Sequence, residues 1–181
     1  MLIQKPIDTE RLILRPETEA DGKDIYSMNT DSEVMRFIGD GRPWTSPLKE
    51  FLKQYKRALA KTAEEKHGNV SVIIKETEQY IGWCGLLPQS RLDGKLELAY
   101  RYYRHAWGKG YATEAARAVL AVGFDGLGLE EIFGMSHPYN LASIRVLAKL
   151  GFRYIRDIFH DEVDCDVHVY SIRPPVSTNS N

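Results

Sequence analysis

The stretch HAWGKGYATEAA, residues 105–116, sets two glycines around a lysine and follows them with a run of good helix formers. Gly108 and Gly110 put backbone without side chains at the entrance of a predicted helix. The first N–H groups of a helix lack intrahelical partners, and the helix dipole adds positive potential there. Such an entrance is an anion cradle, most often for phosphate. A Walker loop needs GxxxxGK followed by Ser or Thr, and GKGYAT has neither that spacing nor the hydroxyl after the lysine. A dinucleotide fingerprint needs a third glycine where Thr113 stands, with an acidic ribose ligand further on that this chain does not supply. The other reading of the glycines is a tight strand-to-helix turn that binds nothing.

The elements that must position this loop can be read from period and punctuation. RLILRPE, residues 11–17, alternates as a strand and stops at Pro16. Thr18 and Asp21 have the spacing of a capping box, so EADGKDIYSMN reads as a short helix, and SEVMRFI as a second. Ser46 before Pro47 is an N-cap with proline at the first helical position, opening an amphipathic helix to about Glu65. NVSVIIKE and QYIGWCGLL form a hairpin around Thr77–Gln79, and KLELAYRYY, residues 95–103, is a third strand in that meander. The glycine-flanked loop then leads a helix to about Asp125. GLGLEEIFGMSH is a turn and a strand. YNLASIRVLAKLG is a helix with Asn140 at its start and Gly151 at its end. FRYIRDIF and DVHVYSI are the final strands. One mixed α/β domain over residues 1–174 follows, with helices on a sheet and a polar, disordered tail over 175–181.

Composition narrows the function classes. The chain has 181 residues, 43% hydrophobic and 27% charged, with a formal net charge of −1. That balance gives no electrostatic reason for nucleic acid or an anionic membrane as main partner. No apolar run approaches the roughly 18–20 residues that span a bilayer, and MLIQKPIDTERL lacks a signal-peptide core, so a cytoplasmic location is expected. Cys84 and Cys165 have no ligand spacing and read as reduced thiols in strands. The histidines are scattered, and no metal is expected.

ELAYRYYRHAWGKGYATEA, followed after one strand by NLASIRVLAKLGF, resembles the GNAT N-acetyltransferases. The opening TERLILRPETEAD and the GW.GL of the meander resemble the branch of the ribosomal-protein N-terminal acetyltransferases of the RimJ/RimL type. The resemblance runs over residues 8–173. It implies a GNAT fold, a mostly antiparallel twisted sheet with two splayed parallel strands and helices on both faces. It also implies acetyl-CoA as co-substrate. The pyrophosphate would be held by the backbone of Gly108, Lys109, Gly110, Tyr111, Ala112 and Thr113. His105 replaces the Gln or Arg common three residues before the first glycine. Many relatives carry a tyrosine seven residues after the helix-start asparagine, placed to protonate the departing thiolate, and here that position is Leu147.

Acyl transfer from a thioester to an amine needs a neutral amine, a stabilised oxyanion and a proton for the leaving thiolate. Asn140 and Ser143 are three apart and share one helix face. The resemblance implies that Asn140 contacts the CoA arm and that Ser143 serves the thiol in place of the missing tyrosine. As local structure alone, they are an N-cap and a first-turn hydroxyl. Alternation puts Glu97, Ala99 and Arg101 on one face of a strand and Leu98, Tyr100 and Tyr102 on the other. The tyrosine-rich strand, Tyr102 included, is read as core and CoA packing. Glu97 is the first choice of base, and otherwise a surface carboxylate paired with Arg101. His137 has a suitable intrinsic pKa, and Glu162 resembles by position the base proposed for RimL-like enzymes. Arg36, Asp40 and Trp44 border the expected acceptor opening, with surface or packing roles as the alternative.

An α-amine with a pKa near 8 is roughly one-tenth neutral at pH 7, a lysine amine less than about one part in a thousand. A site without a dedicated base suits the former. The function expected is acetyl transfer from acetyl-CoA to a primary amine, on a protein N-terminus or a small molecule, by a monomer or homodimer. The alternative is a CoA-binding sensor without transfer activity.

Overall fold

The computed structural model describes residues 2–161 and 164–174. Eight strands form one sheet in the order β1-β2-β3-β4-β5-β6-β8-β7. They are β1 (Ile7–Asp8), β2 (Leu12–Pro16), β3 (Gly68–Ile74), β4 (Tyr80–Gln89), β5 (Lys95–Tyr102), β6 (Ile132–Ser136), β7 (Arg153–His160) and β8 (Cys165–Ile172). The helices are α1 (Gly22–Asn29), α2 (Ser32–Met35), α3 (Leu48–Thr62), α4 (Tyr111–Ala121) and α5 (Leu141–Leu150). Every strand pair is antiparallel except β5–β6, which runs parallel and holds one register pair, Glu97 with Phe133. The expected mixed sheet with two splayed parallel strands is therefore present.

Alternation along the strands fills two cores, one on each face. Leu98 and Tyr102 of β5 join Leu14, Val70 and Leu86 beneath Ala115, Ala116 and Val119 of α4 and Leu147 of α5. On the other face Trp83 packs with Ile25 and Met28 of α1, Val34 of α2 and Phe51 of α3, with Ala99 of β5 against them. Helix α3 presents Phe51 and Tyr55 one turn apart, their rings stacked at 6.0 Å. Gly22 lets α1 come this close, since a Cβ there would stand 2.7 Å from Leu52 and 2.8 Å from Tyr55. Asp21, at the junction into α1, takes both guanidinium nitrogens of Arg15 at 2.8 and 2.5 Å, the Thr18 N–H at 2.7 Å and the Ser71 hydroxyl at 3.0 Å.

Several boundaries differ from the sequence reading. The residue capping α3 is Pro47, with extended backbone (φ −58°, ψ 143°), so the helix starts one residue later than the Ser46–Pro47 signal suggests. The second helix is a single turn, and residues 122–126 continue α4 as a π-helical turn. Cys84 and Cys165 are free thiols, the first buried and pushed up to about 12 by that burial. The tail over 175–181 and Glu162 lie outside the described residues. No helix among the described residues is long and apolar enough to cross a membrane.

Candidate active site

The glycine-flanked loop sits where β5 ends and α4 begins. Gly108 and Gly110 have φ of +73° and +84°, the left-handed region that glycine enters without penalty. A Cβ on Gly108 would meet nothing within 4 Å, so open space lies over the loop. Gly110 is the capping residue of α4, and its carbonyl accepts the Glu114 N–H at 3.1 Å. The N–H groups of Tyr111, Ala112 and Thr113 form the first turn and have no intrahelical acceptor. Lys109 is exposed and Thr113 is buried. These residues fit the phosphate cradle expected of them, with the helix dipole pointing into it.

Three residues that the sequence did not single out, Thr9, Arg11 and Glu114, hold this loop in place. The Arg11 guanidinium donates to the Lys109 carbonyl at 3.0 Å and to the Glu114 carboxylate at 2.8 Å, forms an ion pair with that carboxylate at 2.7 Å, and lies over the Tyr111 ring at 4.7 Å. The Thr9 hydroxyl and the Arg11 N–H also donate to Glu114, at 2.6 and 2.7 Å. Burial opposes the charge on Glu114, but these bonds win and hold its carboxyl below the usual range. The signal was present as TERL and ATEA, but nothing in either segment says that the two meet.

Tyr102 is sealed in the core under α4, and its hydroxyl has no partner. Its carbonyl accepts the indole N–H of Trp107 at 2.9 Å. Tyr102 therefore braces the loop from beneath, and its ring offers a cofactor almost no surface.

Next to the loop, β5 and β6 part. Beyond the Glu97–Phe133 pair the ladder stops, and the Met135 N–H turns to the Glu97 carboxylate at 3.2 Å. The other carboxylate oxygen accepts the Gln89 amide at 2.9 Å. Burial raises the Glu97 pKa, while these two bonds pull it back. The surface pairing with Arg101 is not formed, since Arg101 bonds to Asn29 instead.

Across the sheet, Tyr100 points to the opposite face. Its hydroxyl meets the Ser143 hydroxyl at 3.0 Å, and burial raises its pKa. Asn140 caps α5, its side-chain oxygen accepting the Ser143 N–H at 3.1 Å. Ser143 thus spends its hydroxyl on a strand tyrosine rather than on its own helix. Leu147 is fully buried and packs where a Cβ on Gly134 would come within 2.8 Å of it. A tyrosine at 147 would have no room there.

His137 closes the end of β6. Its Nδ1 accepts the Tyr139 N–H at 3.1 Å. A backbone N–H can only donate, so neutral His137 carries its proton on Nε2 and has no free lone pair for an amine. Burial, with His168 behind it, lowers its pKa. The ring packs on Phe37 at 5.0 Å, which fixes the loop after α2 against the mouth of the gap. On that loop Arg36 covers Phe37, Asp40 accepts the Arg42 N–H, and Trp44 stands edge-on to Phe51. All three of Arg36, Asp40 and Trp44 are exposed. Among the described residues no group of three His, Cys, Asp or Glu side chains could hold a metal ion.

Comparisons with known proteins agree with this geometry. The acetyltransferase (GNAT) domain family matches residues 11–153. An uncharacterized N-acetyltransferase, p20 of Bacillus licheniformis, is 31% identical over 147 residues, 80% of each chain. Two solved structures share the fold with a TM-score of 0.75. The ribosomal-protein-S5-alanine acetyltransferase of Vibrio fischeri is 19% identical, covering 94% of this chain and 97% of its own. The spermidine N-acetyltransferase of Vibrio cholerae, solved with CoA and spermine, is 18% identical, covering 91% and 96%. Equal likeness to enzymes named for a protein and for a polyamine leaves the acceptor open. The match over residues 11–153 and the relatedness to p20 establish that this chain belongs to the GNAT family, the acetyltransferases that move an acetyl group from acetyl-CoA to an amine.

Proposed function

We propose that the chain acetylates a primary amine by direct attack, with Glu97 and Ser143 on the two sides of the β5–β6 gap. The acceptor in this reading is an N-terminal α-amine of a RimJ/RimL-like protein substrate or a small-molecule amine. The observation that carries it is the convergence at one gap of the helix-start cradle, the Glu97 carboxylate on one face and the Ser143–Tyr100 hydroxyl pair on the other.

Bound acetyl-CoA supplies the activated acetyl group. The backbone N–H groups of residues 108–113 hold its pyrophosphate, and Asn140 contacts its arm. Glu97 takes a proton from the ammonium form of the acceptor, and the nitrogen lone pair then forms the new C–N bond. The raised pKa of its buried carboxyl brings it closer to that of an α-amine, which favours the transfer. On the opposite face the Ser143 hydroxyl gives its proton to the sulfur as the C–S bond breaks, and Tyr100 resupplies it through their shared hydrogen bond. The second proton that the nitrogen sheds as the amide forms restores the phenol by way of solvent.

The test is free-thiol release from acetyl-CoA against peptide N-termini, polyamines, amino acids and aminoglycosides. Turnover on one amine class, reduced on the order of 100-fold in Glu97→Gln, is expected. In wild type, kcat/KM rises with pH on a limb set above the ordinary carboxylate range, and Glu97→Gln removes that limb. A variant that keeps the limb overturns the role of Glu97. CoA binding without transfer to any amine favours the sensor reading instead.

A further inference from the structure

A second feature lies on the Glu97 face of β5. Between α1, α3 and strands β3–β5 is a cavity of about 310 Å³, lined among others by Asn29, Tyr55, Trp83, Leu87 and Arg101. Leu87, on its wall, is the register partner of Glu97 on β4, so Glu97 lies one strand across from the Leu87 end of the cavity. Arg101 and Glu97 are four residues apart on one strand, about 13 Å, and side chains four apart share a face. The cradle, Tyr100 and Ser143 belong to the other face, so this cavity is on the side from which an amine would approach.

Arg101 is the unusual group in it. Its Nη1 donates to the Asn29 side-chain oxygen, and its guanidinium lies 5.5 Å from the centre of the Trp83 ring. Its Nε is buried and bonds to nothing. No carboxylate among the described residues forms an ion pair with it. An arginine keeps its charge under all ordinary conditions, and burying that charge without a counter-ion is costly. Asn29 and Trp83 fix the planar fork in one orientation, which is the preorganisation that a carboxylate needs for two parallel hydrogen bonds.

The one acidic residue lining the cavity among the described residues, Glu17, is buried and pushed up to about 7, so near neutral pH it is not a full negative charge. Tyr55 is the remaining titratable group on the wall, and burial raises its pKa as well.

We propose that this cavity is the acceptor subsite and that Arg101 binds a carboxylate carried by the acceptor. The proposal rests on the transferase reading above and specifies its substrate class. The separation of Glu97 and Arg101 along β5 sets the spacing. With the amine at Glu97 and the carboxylate at Arg101, the two are separated by about three to four residues of extended chain. An α-amine followed by an acidic residue fits that span. So does an ω-amino acid with a long apolar stem, whereas a free α-amino acid is too short.

The experiment uses two matched pairs. One is a tetrapeptide Ala-Ala-Ala-Asp amide against Ala-Ala-Ala-Asn amide, the other 8-aminooctanoate against its amide. Binding is measured by calorimetry in the presence of CoA, and turnover by thiol release. The wild type is expected to favour the acid over its amide at least 10-fold in Kd in one pair or both. A preference in the peptide pair alone assigns a protein or peptide acceptor, and in the other pair alone a small molecule. Arg101→Met is expected to abolish the preference with KM for acetyl-CoA unchanged, and Arg101→Lys to keep part of it.

Equal affinity for acid and amide in both pairs overturns the proposal even if Arg101→Met fails to fold. So does a preference that survives Arg101→Met. Binding is read separately from turnover, so an acid preference without acetyl transfer would leave the anchor standing and defeat the transferase reading.

Discussion

In the proposed mechanism the hydroxyl pair of Tyr100 and Ser143 supplies the proton donor that Leu147 does not. Helix α5 needs an apolar residue at 147 to fill the space beneath Gly134, so it cannot also present a phenol there. Tyr100 brings a phenol from the strand instead, and it reaches Ser143 at 3.0 Å. If that pair carries the proton to sulfur, the two residues act as a unit and their effects do not add. Ser143→Ala is expected to lower kcat by about 100-fold and Tyr100→Phe by about 10-fold. The double variant is expected to fall no further than Ser143→Ala alone, with KM for acetyl-CoA changed less than twofold throughout. Steady-state kinetics of the four proteins check this. Independent, multiplying losses would mean that Tyr100 only packs. Glu97 and Ser143 could be nominated from sequence because each sits at a recognisable offset from a motif. The contacts of Tyr100 with Ser143 and of Arg101 with Asn29 could not be read, because alternation assigns a face to a strand residue but says nothing about what stands across from it.

At the scale of elements, the acidic residue one turn into α4 ties the phosphate loop to β2. Glu114 accepts three hydrogen bonds from Thr9 and Arg11 and is ion-paired with Arg11, which goes on to hold the Lys109 carbonyl. This fixes the peptide planes of the loop, and with them the direction of the N–H groups proposed to meet a phosphate. Arg11→Ala is expected to cost about 1 kcal/mol of stability, as the arginine side chain is 44% exposed and solvent screens its charge. Its larger effect is a several-fold rise in KM for acetyl-CoA. Glu114→Gln should give the same rise, and the double variant no more than either single one. Thermal melts and acetyl-CoA kinetics together check it, and a fall in stability with KM unmoved would reduce the clamp to a brace.

Most of these elements could be located from sequence. Asn140 and Gly151 bound α5 as read, because side-chain capping and a left-handed glycine are local chemistry. The two-residue β1 was missed, since its pairing with β2 has no local signature. The shift of the α3 cap from Ser46 to Pro47 has the same origin, because backbone geometry there is set by packing as much as by residue type.

The whole molecule carries a charge cost that is visible only once both of its layers are assembled. Glu17 follows β2 and is enclosed by the sheet and α3. Its Oε1 is buried with no partner, and burial together with the charge of Asp21 pushes its pKa to about 7 from 4.5. The folded state therefore holds a proton on Glu17 that the unfolded chain releases above about pH 4.5. A carboxyl with a raised folded-state pKa contributes its full stability below the unfolded value and loses it as pH rises through the folded one.

Stability is thus expected to fall between about pH 4.5 and 7 from this group, by on the order of 3 kcal/mol at the upper end. Asp21 has the opposite sign. Burial opposes its charge, but Arg15, Thr18 and Ser71 hold its pKa low, so its contribution is lost only at acid pH, below the Glu17 window. Glu17→Gln keeps the shape and removes the charge. Urea unfolding at pH 5 and pH 8 is expected to show the variant gaining on wild type as pH rises and exceeding it at pH 8. A gap between the two proteins that is the same at both pH values would mean that Glu17 is solvated in the folded state. The cavity behind Arg101 would then carry a standing negative charge, and its acceptor would have to accommodate one.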